Sequence, residues 1–207
     1  MTIVLLVLSG TAALGADSIE AVSIPGPSNL AGGGISAEPV FSRDGRHIAF
    51  ISEANNLVAN DDLAPGVDVF VRDLQAGTTA LASVNQTGAG GLNQHCLQFA
   101  ISSNGQFVAF ATFADNVAPQ DTNQACDIFL RDLDAQTTTL ISKAFAGGCA
   151  RGVKPGDQGG LLSGNPRISD DGRWLVFESL ATNLVDLPDA NQSMDLFAWD
   201  RQSQRMS

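Results

Sequence analysis

The side chains in this sequence that are best suited to chemistry are carboxylates and amides in short polar segments. Two segments share the pattern D-x-N-x-x-x-D: Asp121, Asn123 and Asp127 in the first, and Asp189, Asn191 and Asp195 in the second. A third, earlier segment has Asp62, Ala64 and Asp68, so its central oxygen is missing. Carboxylate and amide oxygens that alternate in a short loop suit a hard cation such as Ca²⁺.

The same side chains also form Asx turns, in which an Asp or Asn oxygen accepts a hydrogen bond from a nearby backbone N–H without any metal. The glycine and the final glutamate of an EF-hand loop are absent. The segment also recurs along the chain, which favours an architectural role. We therefore expect turns and no cofactor at these positions, with calcium as the alternative.

Other chemistry has little support in the sequence. A G-x-S-x-G nucleophile motif is absent, and His47 and His95 have no recognisable motif around them. The absence of C-x-x-C spacing argues against zinc, and the odd number of cysteines, Cys96, Cys126 and Cys149, defines no disulfide framework, although one disulfide would be compatible with it. Three aspartates at predicted strand ends read as turn formers: Asp73, Asp132 and Asp200. We expect a protein without catalytic activity of its own.

The polar segments belong to a unit that occurs three times. Each copy opens with a serine, two residues of which the second is Asp or Asn, and a glycine: Gly45, Gly105 and Gly172, which are 60 and 67 residues apart. After the glycine come HIAFIS, FVAFAT and WLVFES, and after the polar segment come DVFVRD, DIFLRD and DLFAWD. Asp-Gly or Asn-Gly between apolar runs predicts a hairpin with a type I′ turn.

The strands after these turns are apolar on both faces, which is typical of sheets that are buried between neighbours. A segment before each turn and a Thr- and Leu-rich segment after the second strand bring each unit to four short strands. Four strands joined by tight turns form one blade of a β-propeller. The fold class is therefore all-β, with about three four-stranded antiparallel blades. We expect Phe50, Phe110 and Phe177 to be buried at matching positions, with the Asp-Gly turns at one end of the stack.

The pattern P-x-x-S-x-D-G-R-x-x-A-F, a polar loop and D-[VI]-F-x-x-D resembles the TolB-type, WD-repeat-like propeller repeat over residues 18–207. The resemblance implies a periplasmic protein that works in assemblies with other envelope proteins. The Trp199-Asp200 dipeptide occurs only in the third copy. A propeller usually has four to eight blades, so three blades predict an incomplete propeller, most simply a fragment of a longer one.

The predicted organisation begins with an uncharged apolar leader at 1–16, followed by the propeller repeats at 17–207. Blade one spans about 36–84, blade two about 97–143 and blade three about 164–207, and 18–24 is expected to be a stray outer strand. The leader resembles the apolar part of a signal peptide, although no Lys or Arg precedes it. We therefore expect export to the periplasm or the extracellular space, with no membrane span after cleavage.

The formal net charge of −11 makes nucleic acid an unsuitable partner, because an acidic surface repels phosphates. The main hypothesis is an exported, non-catalytic module that contacts a protein partner or the remaining blades of a propeller. The alternative is the propeller portion of a larger extracellular enzyme or sensor, such as a hydrolase or a lyase, whose catalytic part lies outside this sequence.

Overall fold

Each repeat folds into a four-stranded antiparallel sheet whose strands are neighbours in the order in which they occur along the chain. The computed structural model describes residues 21–24, 32–60, 66–147, 150, 163–187 and 193–207. The predicted leader at 1–16 lies outside these ranges, as do Asp62, Ala64, Cys149, Asp189 and Asn191. Residues 21–24, the described part of the predicted outer strand, do not form a strand. Val22 packs instead against the core of the first sheet.

Twelve strands are present in the described part of the chain, and it contains no helix. The first sheet consists of β1 (Ser36–Phe41), β2 (His47–Ser52), β3 (Asp68–Asp73) and β4 (Thr78–Leu81). The second consists of β5 (Cys96–Ile101), β6 (Phe107–Thr112), β7 (Asp127–Asp132) and β8 (Thr137–Leu140). The third consists of β9 (Ser163–Ile168), β10 (Trp174–Ser179), β11 (Asp195–Asp200) and β12 (Arg205–Met206).

The sheets stack face to face as propeller blades. The first strands of neighbouring sheets, β1 and β5 and then β5 and β9, contact each other, so the blades converge on that side. Three such blades form an incomplete β-propeller, as the repeat predicted.

The Asp-Gly hairpins are present, but the prediction of type I′ turns is wrong. A type I′ turn requires positive φ at two consecutive residues, whereas φ is positive at Gly45 and not at Asp44. The N–H of Gly45 donates to the Ser42 carbonyl, which makes a type I turn with the glycine in the left-handed region after it. The physical reason is the side chain of Asp44, which accepts hydrogen bonds from Ser42 Oγ and from the N–H of Arg46 and holds this turn closed.

The prediction for the phenylalanines is confirmed. Phe50, Phe110 and Phe177 are all buried, and each stacks on the phenylalanine directly opposite on the next strand. The ring centroids of the three pairs are 5.8, 5.7 and 5.9 Å apart: Phe50–Phe70, Phe110–Phe129 and Phe177–Phe197. Aromatic pairs at this spacing strengthen the sheet beyond the burial of their area.

Each described interface between blades is asymmetric. The aromatic pair of one blade packs on small and aliphatic residues of the blade before it. Phe110 and Phe129 pack on blade one at Ala49, Val69 and Val71. Phe177 and Phe197 pack on blade two at Ala109, Ala111, Ile128 and Leu130. A blade thus presents its phenylalanine pair to the preceding blade and mostly small or aliphatic residues to the following one, with Phe107 as an exception in blade two.

Candidate functional site

The three Asp-Gly turns lie together at one end of the stack and are bonded to each other. The residue that follows the turn serine occupies the same position in each blade: Arg43, Ser103 and Asp170. The backbone N–H of Asp44 donates to the Ser103 carbonyl, and that of Ser103 donates to the Asp170 carbonyl, each at 3.2 Å. Ser103 Oγ also donates to Asp170 Oδ1 at 2.7 Å, and Arg43 pairs with Asp170. These contacts lock the blades in register and leave the turn side chains bonded to each other.

The aspartates at the ends of β3, β7 and β11 are turn formers, as expected. Asp73 accepts hydrogen bonds from the N–H groups of Gln75 and Ala76, and it pairs with Arg46 at 2.6 Å. The hydrogen bond from Arg46 is the main reason that the pKa of Asp73 lies well below its usual range. Two further aspartates hold the equivalent turns, namely Asp132 and Asp200. These three aspartates therefore stabilise turns of the fold.

The opposite end of the stack carries the polar loops, and here the structure brings Asp121, Asn123 and Asp127 together. The carboxyl group of Asp127 is buried, and its Oδ1 accepts a hydrogen bond from Ser142 Oγ at 2.5 Å. Burial raises the pKa of Asp127 to about 7, and the negative charge of Asp121 acts in the same direction. Hydrogen bonds from Ser142 and Asn123 lower this pKa without cancelling the rise.

Asp121 is also buried, and its burial raises the pKa of this carboxyl as well. Asn123 Oδ1 accepts a hydrogen bond from the N–H of Ala125 at 3.0 Å, which is the Asx turn that the sequence predicted. Asn123 Nδ2 donates to the carbonyl of Ala150. Two side-chain oxygens, Asp121 Oδ1 and Asp127 Oδ2, are buried and have no hydrogen-bond partner.

The structure describes the other two polar loops only in part. In the first blade, Asp68 Oδ1 accepts a hydrogen bond from Ser83 Oγ at 2.6 Å, the same contact that Ser142 makes with Asp127. In the third blade, Asp195 begins β11, whereas its predicted companions lie outside the described residues. In the part of the chain that the structure describes, no group of three or more His, Cys, Asp or Glu side chains is arranged to hold a metal ion.

The two histidines and the two described cysteines take part in packing or in hydrogen bonds within the fold. His47 lies against Gly105 of the next blade, and its side chain is mostly buried. His95 Nδ1 accepts a hydrogen bond from the N–H of Val67. Cys96 and Cys126 are free and buried, and burial raises the pKa of Cys126 to about 12.

The side of blade three that faces away from blade two has three partly exposed apolar residues, with Glu178 on the same side of the sheet. Trp174 is 40% exposed, Val176 is 36% exposed and Leu196 is 72% exposed. We call these three residues the open face. Their equivalents in blade two, Phe107, Ala109 and Ile128, are 3%, 0% and 0% exposed, because blade three covers them. Val176 stands where the other two repeats have the interface residues Ala49 and Ala109, so its position in the repeat is one that a neighbouring blade covers.

The described residues include no helix that is long and apolar enough to span a membrane. No protein-family model matches the sequence, and a comparison with curated proteins gives no significant match.

Solved structures of β-propellers are similar to the chain. TolB from Acinetobacter baumannii is 16% identical with a TM-score of 0.47, and the match covers 86% of this chain and 33% of TolB. Putative TolB from Agrobacterium tumefaciens is 16% identical with a TM-score of 0.49, covering 89% of this chain and 48% of that protein. The β-propeller domain of the Trilobed protease from Pyrococcus furiosus is 12% identical with a TM-score of 0.48, covering 84% and 41%.

This chain therefore spans between a third and a half of the length of these proteins. The resemblance to TolB that the repeat predicted is found again among solved structures. The proteins similar to the chain include both TolB and the propeller domain of a protease. The chain itself is an incomplete β-propeller of three four-stranded blades.

Proposed function

We propose that this chain is a non-catalytic, exported β-propeller module that binds a protein partner through the open face of blade three. The observation that carries the proposal is the exposure of Trp174, Val176 and Leu196 on a face that is covered in the other two blades. Exposed apolar residues that lie together in this way mark a surface for association.

The rest of the fold indicates which partner fits this face. In both described interfaces, the corresponding face receives a stacked pair of phenylalanines from the following blade. The partner of the open face is therefore a β-sheet of blade type that presents an aromatic pair. Such a sheet would be a further propeller blade.

The position of Trp174 supports the same partner. In blades one and two, the residue at this position is His47 or Phe107, and each lies against the turn glycine of the following blade. Trp174 begins β10 as these residues begin β2 and β6. An incoming blade would place its own turn glycine on the indole ring.

Two further parts of the proposal, export and the absence of catalytic activity, rest on other observations. Export is supported by the uncharged apolar leader and by the resemblance to the TolB-type repeat, which together favour the periplasm or the extracellular space. The absence of catalytic activity is supported by the use of the aspartates at the strand ends, Asp73, Asp132 and Asp200, in holding turns.

Sedimentation velocity of the full chain tests the role of the open face. In the absence of its partner, the wild type should self-associate as its concentration rises from micromolar to tens of micromolar, because apolar area is removed from water when open faces meet. Leu196→Asp should shift the distribution to the monomer, because the contact would bury a charge without a partner.

The matched control is Phe145→Asp. Phe145 is 64% exposed and lies outside the open face, so its replacement should leave self-association unchanged. Equal self-association of the wild type and Leu196→Asp would contradict the proposal. So would a wild type that remains monomeric and also fails to bind the hydrophobic dye 8-anilinonaphthalene-1-sulfonate.

A further inference from the structure

The loop between β6 and β7 and the first residue of β7 hold two buried carboxylates, Asp121 and Asp127, whose hydrogen bonding is incomplete. Asp127 is 1% exposed and Asp121 is 5% exposed, and each has one carboxylate oxygen without any partner. An unpaired buried carboxylate oxygen is costly, and most buried polar atoms in proteins do have a partner. Two such carboxylate oxygens lie within the seven residues from Asp121 to Asp127, and together they favour a missing cation.

The charge of Asp121 acts on Asp127, and Asn123 lies beside both carboxylates. The charge of Asp121 raises the pKa of Asp127, whereas a hydrogen bond from Asn123 lowers it. Burial is the main cause of the raised pKa of Asp121, and the charge of Asp115 adds to it. The loop thus gathers negative charge around two free oxygens, and within the described residues no arginine or lysine is recorded in an ion pair with either of them.

We infer that this loop is a calcium site in which Asp121 Oδ1 and Asp127 Oδ2 are ligands. Ca²⁺ takes six to eight oxygen ligands in flexible geometry and readily combines carboxylates, amide and backbone carbonyls and water. Mg²⁺ is less suitable, because it demands a near-ideal octahedron and keeps much of its own water. The site lies apart from the open face and goes beyond the proposed binding function.

The remaining side chains of the loop have supporting roles. Asn123 Oδ1 already accepts one hydrogen bond from Ala125, but a carbonyl oxygen has a second lone pair that is available to the ion. Ser142 holds Asp127 through Oδ1 and so orients Oδ2. Backbone carbonyls and water would complete the shell.

The Asx turn explains only part of this arrangement. It accounts for the bond between Asn123 and Ala125, and a turn of this kind needs no second carboxylate. It leaves Asp121 Oδ1 and Asp127 Oδ2 unexplained. The raised pKa values of both carboxyls express the same deficit, because a buried carboxylate without a cation favours its protonated form.

Calorimetric titration of the full chain with CaCl₂ at about pH 8, where Asp127 is ionised, tests the site directly. Asp121→Asn should reduce the number of bound calcium ions by one relative to the wild type. This readout remains valid if the loop with Asp189, Asn191 and Asp195 binds an ion of its own. Asp68→Asn is the matched control, because Asp68 makes the same contact with a serine, in a loop that has Ala64 at the centre. It should leave the number of ions unchanged.

Thermal unfolding gives a second readout that a purely structural role would not produce. At a calcium concentration 100 times the Kd, the Tm of the wild type should rise by about 5–10 °C relative to chelator, because the ion binds only the folded state. In Asp127→Asn this rise should be smaller than in the wild type, while the Tm in chelator should equal or exceed that of the wild type.

The outcomes are distinct. Equal calcium stoichiometry in Asp121→Asn and the wild type, or no calcium binding to the wild type, would overturn the inference. A loss of Tm in Asp127→Asn that is the same in calcium and in chelator would assign the loop to Asx turns alone.

Discussion

Gly172 lies directly against the ring of Phe107, the first residue of β6 in the preceding blade. A Cβ atom added to Gly172 would stand 2.3 Å from Phe107 Cδ2. The ring has a second neighbour, because the guanidinium carbon of Arg201 lies 4.3 Å from its centroid. Gly105 has the same relation to His47, where an added Cβ would stand 2.1 Å from Nδ1. The turn glycine therefore closes a hairpin and also allows the next blade to approach.

Replacement of Gly172 by alanine separates these two roles when it is compared with the same change at Gly45. The φ angles are +66° and +70°, so both substitutions should cost about 1–2 kcal/mol for a left-handed side chain. Gly45 has no neighbour within 4 Å of an added Cβ, whereas Gly172 has the ring of Phe107. Gly172→Ala should therefore lose a further 1–3 kcal/mol, roughly, from overpacking, as measured by urea denaturation. Equal losses at the two positions would show that the blades adjust without cost.

The repetition in the sequence was enough to predict the strands, because the same apolar strings occur three times and Phe50, Phe110 and Phe177 stay in register. The turn type was predicted wrongly, because a dipeptide rule does not include the hydrogen bonds between Ser42 and Asp44. Contacts between blades, such as Ser103 with Asp170, were beyond prediction, since they depend on how separate sheets stack.

The candidate sites were predictable to different degrees. The D-x-N-x-x-x-D spacing identified Asp121, Asn123 and Asp127, but the sequence could not show that two of their oxygens are buried without partners. Three stacked blades imply one uncovered blade face, but the sequence did not identify it, because WLVFES is mostly apolar and Glu178 is its one charged residue. That information lies in the stacking, where Val176 is left exposed and Phe177 is covered.

The pH dependence of stability should reveal Asp127. Its pKa is raised to about 7, so without calcium the folded chain keeps a proton that the unfolded chain releases near pH 4. The stability from this proton is complete below pH 4 and is lost as the pH rises toward 7. In chelator, the Tm of the wild type should therefore fall between about pH 5 and about pH 8 more steeply than that of Asp127→Asn.

Three nearby groups bear on this measurement: Asp121, Asp115 and Cys126. Burial raises the pKa of Asp121, so it contributes in the same direction, and the pKa of Cys126, about 12, lies above the range. The comparison with Asp127→Asn removes the contributions that the two proteins share. Parallel Tm profiles of the two proteins would show that Asp127 is ionised throughout.

The two described cysteines should be unreactive in the folded protein. Cys96 and Cys126 are buried, and burial raises the pKa of each thiol, which suppresses the reactive thiolate. With 5,5′-dithiobis(2-nitrobenzoic acid) at neutral pH, at least two of the three thiols should stay unlabelled in the native chain, and all three should react in guanidinium. Rapid native labelling of all three would contradict the packing of these residues.

Acrylamide quenching of tryptophan fluorescence tests the open face, and with it the proposed function, most directly. The chain has two tryptophans, and Trp199 is 4% exposed, so the quenchable emission reports on Trp174 at 40%. In dilute solution Trp174 should be quenched readily, and it should become protected as the wild type associates. In Leu196→Asp it should stay accessible at every concentration. The account would be contradicted if Trp174 were shielded in the dilute monomer, or if association left its quenching unchanged.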